Sequence, residues 1–455
     1  MIDLLTLEDD VIVALRLSVL NYNLFFNRTK TLEPIVKYLV ESLNLQKEID
    51  IDIIRSLVTN VARVIRSGGK GLSIPRNNNF YSGKHNRQGL SRTAMFRMLD
   101  KLEELGYLTN YKGYALVNKE NGEVEESERS FTMIEDKLCC LFTKLNLLCC
   151  VSNSMDKSEI IIRDRKTHED KSLRGVVGVT ELKQKVKELN TVLDANEISY
   201  CGNRVPEIYY SRIFTDDLTH AGRFYSSDGR MSCLQQRYRS QLKINNESVV
   251  ELDYSSLHAS MLYETIKDFD MPEDFKAYQV DISKYVTVDN NKVECFKKKH
   301  NLKTYDPIKN LCKKVLLVSL NTRGDIRNAS GAIIADIRAD WKCKNEADKK
   351  YVGLCFTKVD GKEHIFSKDI CAAVLEHNYL IADYFYSDAG IMLQYRDSTI
   401  AQFVVDEFVA EGEAILVYHD SFIVRESLEQ KLESCMKRAY KFVVGSDRYC
   451  KIDKK

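Results

Sequence analysis

The chain has 455 residues, a formal net charge of +1, 44% hydrophobic and 29% charged residues, the balance of an ordinary water-soluble protein with length for two or three domains. No run reaches the ~18 apolar residues of a membrane span, and the acidic opening MIDLLTLEDD is unlike a basic signal peptide, so a cytoplasmic location without a membrane partner is expected. The near-neutral charge excludes a global basic field, leaving nucleic-acid contact to local patches, and 13 cysteines without framework spacing read as reduced thiols.

Residues 1–66 carry helical periodicity, as in VIVALRLSVLNYNLFF and IIRSLVTNVARVIRS, and SGGKGLSIPRNNNFYSGKHNRQG at 67–89 reads as a basic loop. Ser91 is placed to cap a helix whose apolar face is Ala94, Met95, Met98, Leu99, Leu102 and Leu105, with Gly106 as its stop. Alternation from Tyr107 to Val117, a turn through 118–122 and a return over Ser130–Ile134 predict a hairpin. Helix, helix and hairpin in this order resemble a winged helix-turn-helix, which implies that Arg92 and Arg97 face DNA from a recognition helix, with Lys112 on the wing. A module of this kind that only packs against its neighbours is the alternative.

The pairs Cys139, Cys140 and Cys149, Cys150 do not have zinc-ribbon spacing, and their Leu and Phe neighbours favour a buried stripe. VTELKQKVKELNTVLDANEI at 179–198 reads as a solvated arm or thumb-like helix, too short for a coiled coil. THAGRFYSSDGRMSCLQQRYRSQ follows at 219–241. Gly222-Arg223 in a turn, then Ser226, Ser227, Gln235 and Gln236, with Arg230, Arg237 and Arg239, offer donors to a sugar-phosphate backbone; alone, it is a basic surface loop.

VVELDYSSLHASML at 249–262 reads as a buried strand with Asp253 at its exit, and AILVYHDSFIV at 414–424 repeats the arrangement with Asp420. Nucleotidyl transfer needs two Mg²⁺ ions held by hard carboxylate ligands, and only a fold could unite aspartates 167 residues apart. Between them Lys309, Lys313, Leu317 and Asn321 recur every four residues along one face of a helix started by Pro307. Such lysines can hold a triphosphate, or be the solvated face of a buried helix.

Taken in order, these segments resemble the polymerase core of family A DNA polymerases and the related single-subunit phage RNA polymerases, over 211–445. THAGR is similar to T-x-x-G-R, SSDGRMSCLQQ follows it as in the family, DYSSLH resembles motif A, the Lys309 to Asn321 series resembles motif B, and YHDSF resembles motif C. The resemblance implies that Asp253, Asp420 and the backbone carbonyl of Tyr254 bind two Mg²⁺ ions, with Mn²⁺ able to substitute. Lys313 and Lys309 would contact the triphosphate, with Leu317, Asn321, His258 and Arg239 beside the nucleotide. Arg223, Arg237 and His419 would lie along primer-template. The chain departs from the family DNA polymerases at His258, where they carry Glu, at Leu317 and Asn321, and at Ser421. Those departures bear on sugar choice, for which deoxynucleotides are favoured.

The expected fold class is α+β: a right-hand polymerase palm and fingers with an antiparallel palm sheet, preceded by a mainly helical region containing the winged helix-turn-helix. The expected divisions are a helical segment at 1–54, the DNA-binding-like module at 55–150, a linker or thumb-like region at 151–210, and palm and fingers at 211–455. The implied function is template-directed, DNA polymerase-like nucleotidyl transfer without a proofreading exonuclease, serving a plasmid, phage or mobile element. Its implied partners are DNA primer-template, nucleoside triphosphates and accessory replication or mobile-element proteins. Alternatives are a DNA-binding regulator or replication initiator with a degenerate palm, and a ribonucleotide-using or untemplated polymerase.

Overall fold

The computed structural model describes the chain except residues 1, 23–31, 77, 83–85, 87–88, 118–123, 145–157, 227–230, 233, 267–271, 273–274, 301, 303–304, 344–345, 347–348 and 361. For 5, 115–117, 124–127 and 143–144 it describes the backbone alone. The turn at 118–122, Cys149, Cys150, Ser227 and Arg230 therefore lie wholly outside the described residues.

The architecture is mixed α/β, and its apolar interior divides into two large clusters, one between Leu20 and Phe142 and one between Val13 and Tyr449. In the first, helix Glu48–Ser67 leads through strand Gly71–Ser73 and short helix Asn78–Ser82 to helix Arg92–Glu104 and a hairpin. The Ser91 hydroxyl accepts the Ala94 amide at 3.3 Å, so the cap forms. Ala94, Met95, Met98, Leu99 and Leu102 are buried, but Leu105 is exposed, because it ends the helix where Gly106 turns the chain at φ +70°. The hairpin pairs Leu108–Lys112 with Phe131–Ile134, and Gly71–Ser73 joins the latter strand antiparallel. A second ladder pairs Tyr114–Val117 with Val124–Glu128. Gly113 separates the ladders: a Cβ there would lie 2.2 Å from the Glu128 carbonyl oxygen.

Three sequence expectations change. The periodicity drawn through 11–26 ends in a strand, Val19–Asn21, parallel to Gly71–Ser73. Helix Glu48–Ser67 runs across residue 54, so no break divides the structure there. The helix Val179–Ala195 is no solvated arm: Val186, Leu189 and Leu193 are buried, and the Asn190 amide brackets the backbone of Tyr210 with bonds of 2.9 and 2.7 Å. Strands Ile160–Arg163 and Ile198–Tyr200 likewise pair with Tyr210–Thr215 and Leu242–Ile244, which ties the 151–210 region into the second cluster.

The second cluster is organised by the strand Glu247–Tyr254. Its first residues pair with Leu242–Ile244, its last with Ile452–Lys454, and its other edge with Ser421–Arg425. Leu416–Tyr418 and Ser421–Arg425 form a hairpin closed at Tyr418 and Ser421, leaving His419 and Asp420 as its tip. His419 takes φ +61°, the left-handed conformation such a two-residue turn requires. Val250, Leu252 and Tyr254 point into the core while Glu251 and Asp253 take the opposite face, the period-two alternation of a half-buried sheet. Helix Gly390–Ala410 lies against the strand Ala221–Ser226 and against helix Glu429–Val444.

Gly222 shows why this packing needs its sequence. It has φ +81°, and a Cβ would meet the buried Phe214 ring at 2.5 Å beside an irregularity in the pairing of Tyr210–Thr215 with Ala221–Ser226. Gly222→Ala should destabilise the fold by about 1–3 kcal/mol through strained φ and overpacking. A urea midpoint equal to that of the unaltered chain would remove the steric account.

Candidate active site

The strand pairing places Asp253 opposite Ser421, so Asp253 and the hairpin-tip Asp420 are neighbours at the same end of the sheet. The Tyr254 amide donates to the Asp420 carbonyl at 3.2 Å, which fixes the tip against the strand end. Burial raises the pKa of both carboxyls; the charge of Asp420 raises Asp253 further, and that of Asp397 raises Asp420. Cations oppose the rise only in part. Lys313 acts on both carboxyls, and the Lys455 ammonium lies 2.7 Å from Asp253 Oδ2. The Tyr254 phenol plays no part, since it donates to the Met436 carbonyl at 2.6 Å in the core; only its backbone faces the tip.

Helix Pro307–Asn321 is capped by Asp306, whose side chain accepts the Lys309 amide at 3.0 Å, and has Pro307 in its first turn. Leu311, Cys312, Val315, Leu316 and Leu320 are buried, and Lys309, Lys313 and Asn321 are exposed, with Leu317 between. Neither Lys309 nor Lys313 has a carboxylate partner within ion-pair distance among the described residues, whereas their neighbour Lys314 pairs with Asp336 at 2.8 Å. Lys313 Nζ is 6.0 Å from the centre of the Tyr278 ring. The Tyr278 hydroxyl is pushed up to about 12, first by burial and further by Asp420 and Asp253. Asn321 accepts from Gln394 at 3.4 Å and packs over Gly390, where a Cβ would come within 2.1 Å of its Oδ1.

A buried charge network stands behind the carboxylates. Arg223 Nε lies 3.1 Å from both Asp397 oxygens, Arg223 Nη2 also bonds Asp397 Oδ2, and His258 Nε2 is 2.8 Å from that same oxygen. Arg223, expected along primer-template, is thus held by an acid from helix Gly390–Ala410. Arg239, expected beside the nucleotide, instead bonds Glu251 at 2.7 Å and lies 3.8 Å over the Tyr418 ring; Glu251 also accepts from the Ser421 hydroxyl at 2.6 Å. Its guanidinium is occupied in holding the hairpin. Arg237 lies over the Tyr238 ring at 4.7 Å and 3.7 Å from Asp9. His419 is edge-on to Tyr225, and its pKa falls to about 4 because it is buried and faces Arg223, so the ring is neutral at physiological pH.

Of the residues expected at DNA, Arg92, Arg97 and Lys112 are exposed. Arg92 donates to the Arg76 carbonyl at 2.6 Å and lies over Phe96, and Arg97 pairs with Asp50. On helix Asp136–Lys144 Cys139 is half-buried and Cys140 exposed, so the buried side is supplied by Leu138 and Phe142 rather than by the cysteines.

Sequence reasoning did not single out Asp397, Glu251, Tyr278, Arg212 or Lys455. One signal was available for Asp397: an acid in the middle of the mostly apolar GIMLQYRDSTIAQFVV needs a cationic partner if buried.

Among the described residues no group of three or more His, Cys, Asp or Glu side chains forms a closed metal cage. Two under-compensated carboxylates nonetheless suit a hard divalent cation that completes its shell with backbone oxygen and water. Among the described residues no helix is long and apolar enough to cross a membrane. No protein-family model and no curated protein matches the chain. Among solved structures, the POL domain of Pol1 from M. smegmatis, in complex with DNA primer-template and dNTP, aligns over 98% of this chain and 69% of that one, at 12% identity and a TM-score of 0.28. A similarity of that size decides nothing about function.

A carboxyl whose pKa is higher folded than unfolded holds its proton better in the native state, so stability falls as pH rises through that window and stays lower at neutral pH. Asp420→Asn should therefore raise the thermal midpoint measured at neutral pH in chelator, and should remove any rise produced by adding Mg²⁺. A lower midpoint in chelator would contradict the repulsion account.

Proposed function

We propose that the chain is a template-directed nucleotidyltransferase of DNA polymerase type, adding deoxynucleotides to a primer 3′-hydroxyl with two divalent cations. Its support is one juxtaposition: Asp253 and Asp420, far apart in sequence, meet at paired strand ends within the electrostatic reach of Lys313. The sheet around Glu247–Tyr254 would be the palm, and the helices from 290 to 377 the fingers. The helix, strand, helix, helix and hairpin of 48–134 would be a winged helix-turn-helix presenting Arg92 and Lys112 to DNA, with Arg97 steadied by Asp50.

Asp253, Asp420 and the Tyr254 carbonyl would hold the cations. When bound, Mg²⁺ lowers the pKa of the attacking hydroxyl and neutralises phosphate charge. The chain's own residues do the rest. Lys309 and Lys313, one helical turn apart, clamp the triphosphate by point charge. The primer hydroxyl would release its proton to water as its oxygen bonds to the α-phosphorus and the bond to pyrophosphate breaks, with Lys313 the proton donor to the leaving group. Neutral His419 and the ring of Tyr225 border the primer terminus without adding charge.

Primer extension with Mg²⁺ tests this directly. Asp253→Asn and Asp420→Asn should each lower incorporation by roughly a thousandfold or more while primer-template affinity stays near that of the unaltered chain, since the lost ligand acts on the transition state. Lys313→Ala should raise the nucleotide KM and lower kcat together. No extension by the unaltered chain with either sugar, in Mg²⁺ or Mn²⁺, alongside retained DNA binding, would move the assignment to a DNA-binding scaffold.

A further inference from the structure

We infer that the Lys455 ammonium is a built-in counter-cation of the candidate site, which a divalent cation must push off Asp253 before that carboxylate can ligate it; this rests on the reading of Asp253 as a metal ligand. Lys455 lies outside all the motifs that suggested the site, and it reaches Asp253 from the end of the strand Ile452–Lys454.

The sheet brings it there. Ile452–Lys454 runs antiparallel beside Glu247–Tyr254, with Asp453 opposite Asp253 and Lys454 opposite Leu252, and the Lys455 amide extends the ladder by donating to the Glu251 carbonyl at 3.0 Å. Side chains alternate along both strands, so Asp453 and Lys455 share the face of Glu251 and Asp253. Lys454 takes the other face and pairs with Glu429 at 2.7 Å. A long side chain can reach its diagonal neighbour across a strand pair, and Lys455 Nζ does so, 2.7 Å from Asp253 Oδ2.

The pairing is built for release. Around this sheet the other buried acids are held by arginines, Arg239 on Glu251 and Arg223 on Asp397, with less than a fifth of either arginine side chain exposed. Asp253 has instead a lysine, a point charge on a flexible stem, and 32% of that side chain is exposed. Asp453, an exposed acid two residues back on the same face, also acts on the Lys455 charge, as does Glu251. The ammonium therefore has a second acid and water to turn to. A carboxylate oxygen can ligate Mg²⁺ at about 2.1 Å, but a divalent ion and an ammonium on one oxygen repel each other. The metal affinity of the site thus includes the work of moving Lys455.

Metal binding, rather than catalysis, is the readout. Mn²⁺ is titrated into the full chain without nucleotide or DNA, and the free ion is followed by its electron paramagnetic resonance signal. Lys455→Met removes the charge while keeping an unbranched side chain, and should tighten Mn²⁺ binding roughly tenfold. Lys455→Arg keeps the charge and should not tighten it. In chelator at neutral pH, Lys455→Met should also lower the thermal midpoint, because Asp253 loses its ion partner. Mn²⁺ affinity equal to or weaker than that of the unaltered chain in folded Lys455→Met would overturn the inference. A second measurement needs no altered site: in the unaltered chain with ¹³C-labelled lysine, the Lys455 Cε resonance, identified by its absence in Lys455→Arg, should move as Mg²⁺ is added. A resonance unmoved at saturating Mg²⁺ would overturn it equally. No Mn²⁺ bound by the unaltered chain or by Lys455→Met, or an affinity unchanged in Asp253→Asn, would instead defeat the metal reading and, with it, this role.

Discussion

The register between Glu247–Tyr254 and Ser421–Arg425 is the constraint on which the candidate site depends. Side chains alternate faces along a strand, so a slip of one residue would turn Asp253 into the core and bring Leu252 out. The buried Val250, Leu252, Phe422 and Val424 hold that register, and Tyr254, Phe422 and Tyr440 pack their rings beneath it. The two-residue tip then leaves Asp420 only one place to stand, beside the end of the neighbouring strand. Position in the site is thus a consequence of apolar packing on the other face of the sheet.

Charge around this sheet is compensated in two ways, with one exception. Arg212 is buried among neutral acceptors and aromatic rings, and burial draws its pKa down to about 10. Arg223 and Arg239 each have a buried acid, Asp397 and Glu251. Asp253 and Asp420 are the exception, facing lysines whose charge does not offset their burial. The arginines stitch the strands and the helix Gly390–Ala410 into a rigid support, which is what a site that must hold substrate within fractions of an ångström needs.

How much of this was legible in the sequence depended on whether the signal was local. The cap at Ser91, the stop at Gly106 and the amphipathic Lys309 to Asn321 series follow from neighbours within a few residues, and each has its counterpart in the structure. Leu105 and the Val19–Asn21 strand were misjudged where periodicity was carried past a point that tertiary contacts decide. The charged segment around helix Val179–Ala195 reads as a solvated arm or thumb-like helix, yet Val186 and Leu189 face the core. The pairing of Arg223 with Asp397 joins residues 174 apart and Arg239 with Glu251 closes within a single hairpin region. Neither partnership has a periodic signature, so neither could be read from a motif list. Basic residues near a strand look alike in sequence whether they face a phosphate or a buried acid.

The under-compensated aspartates bear on the choice between a working site and an inert scaffold. Two carboxylates whose pKa is raised first by burial and further by a neighbouring acid weaken the fold at neutral pH. A protein needing only the shape of this sheet would lose nothing by carrying amides or apolar residues at 253 and 420, since replacing buried charge with uncharged groups of similar volume is often neutral or stabilising. The same sheet shows that the fold can neutralise an acid fully when packing alone is at stake: Glu251, two residues before Asp253 on the same face, has both Arg239 and Ser421. Asp253 has Lys455 alone and Asp420 has no ion-pair partner among the described residues, while both feel Lys313, which itself has no acid within ion-pair distance among the described residues. Carboxylates left short of compensation while the acid beside them is fully paired are more readily understood as kept for a charge they bind than as kept for packing.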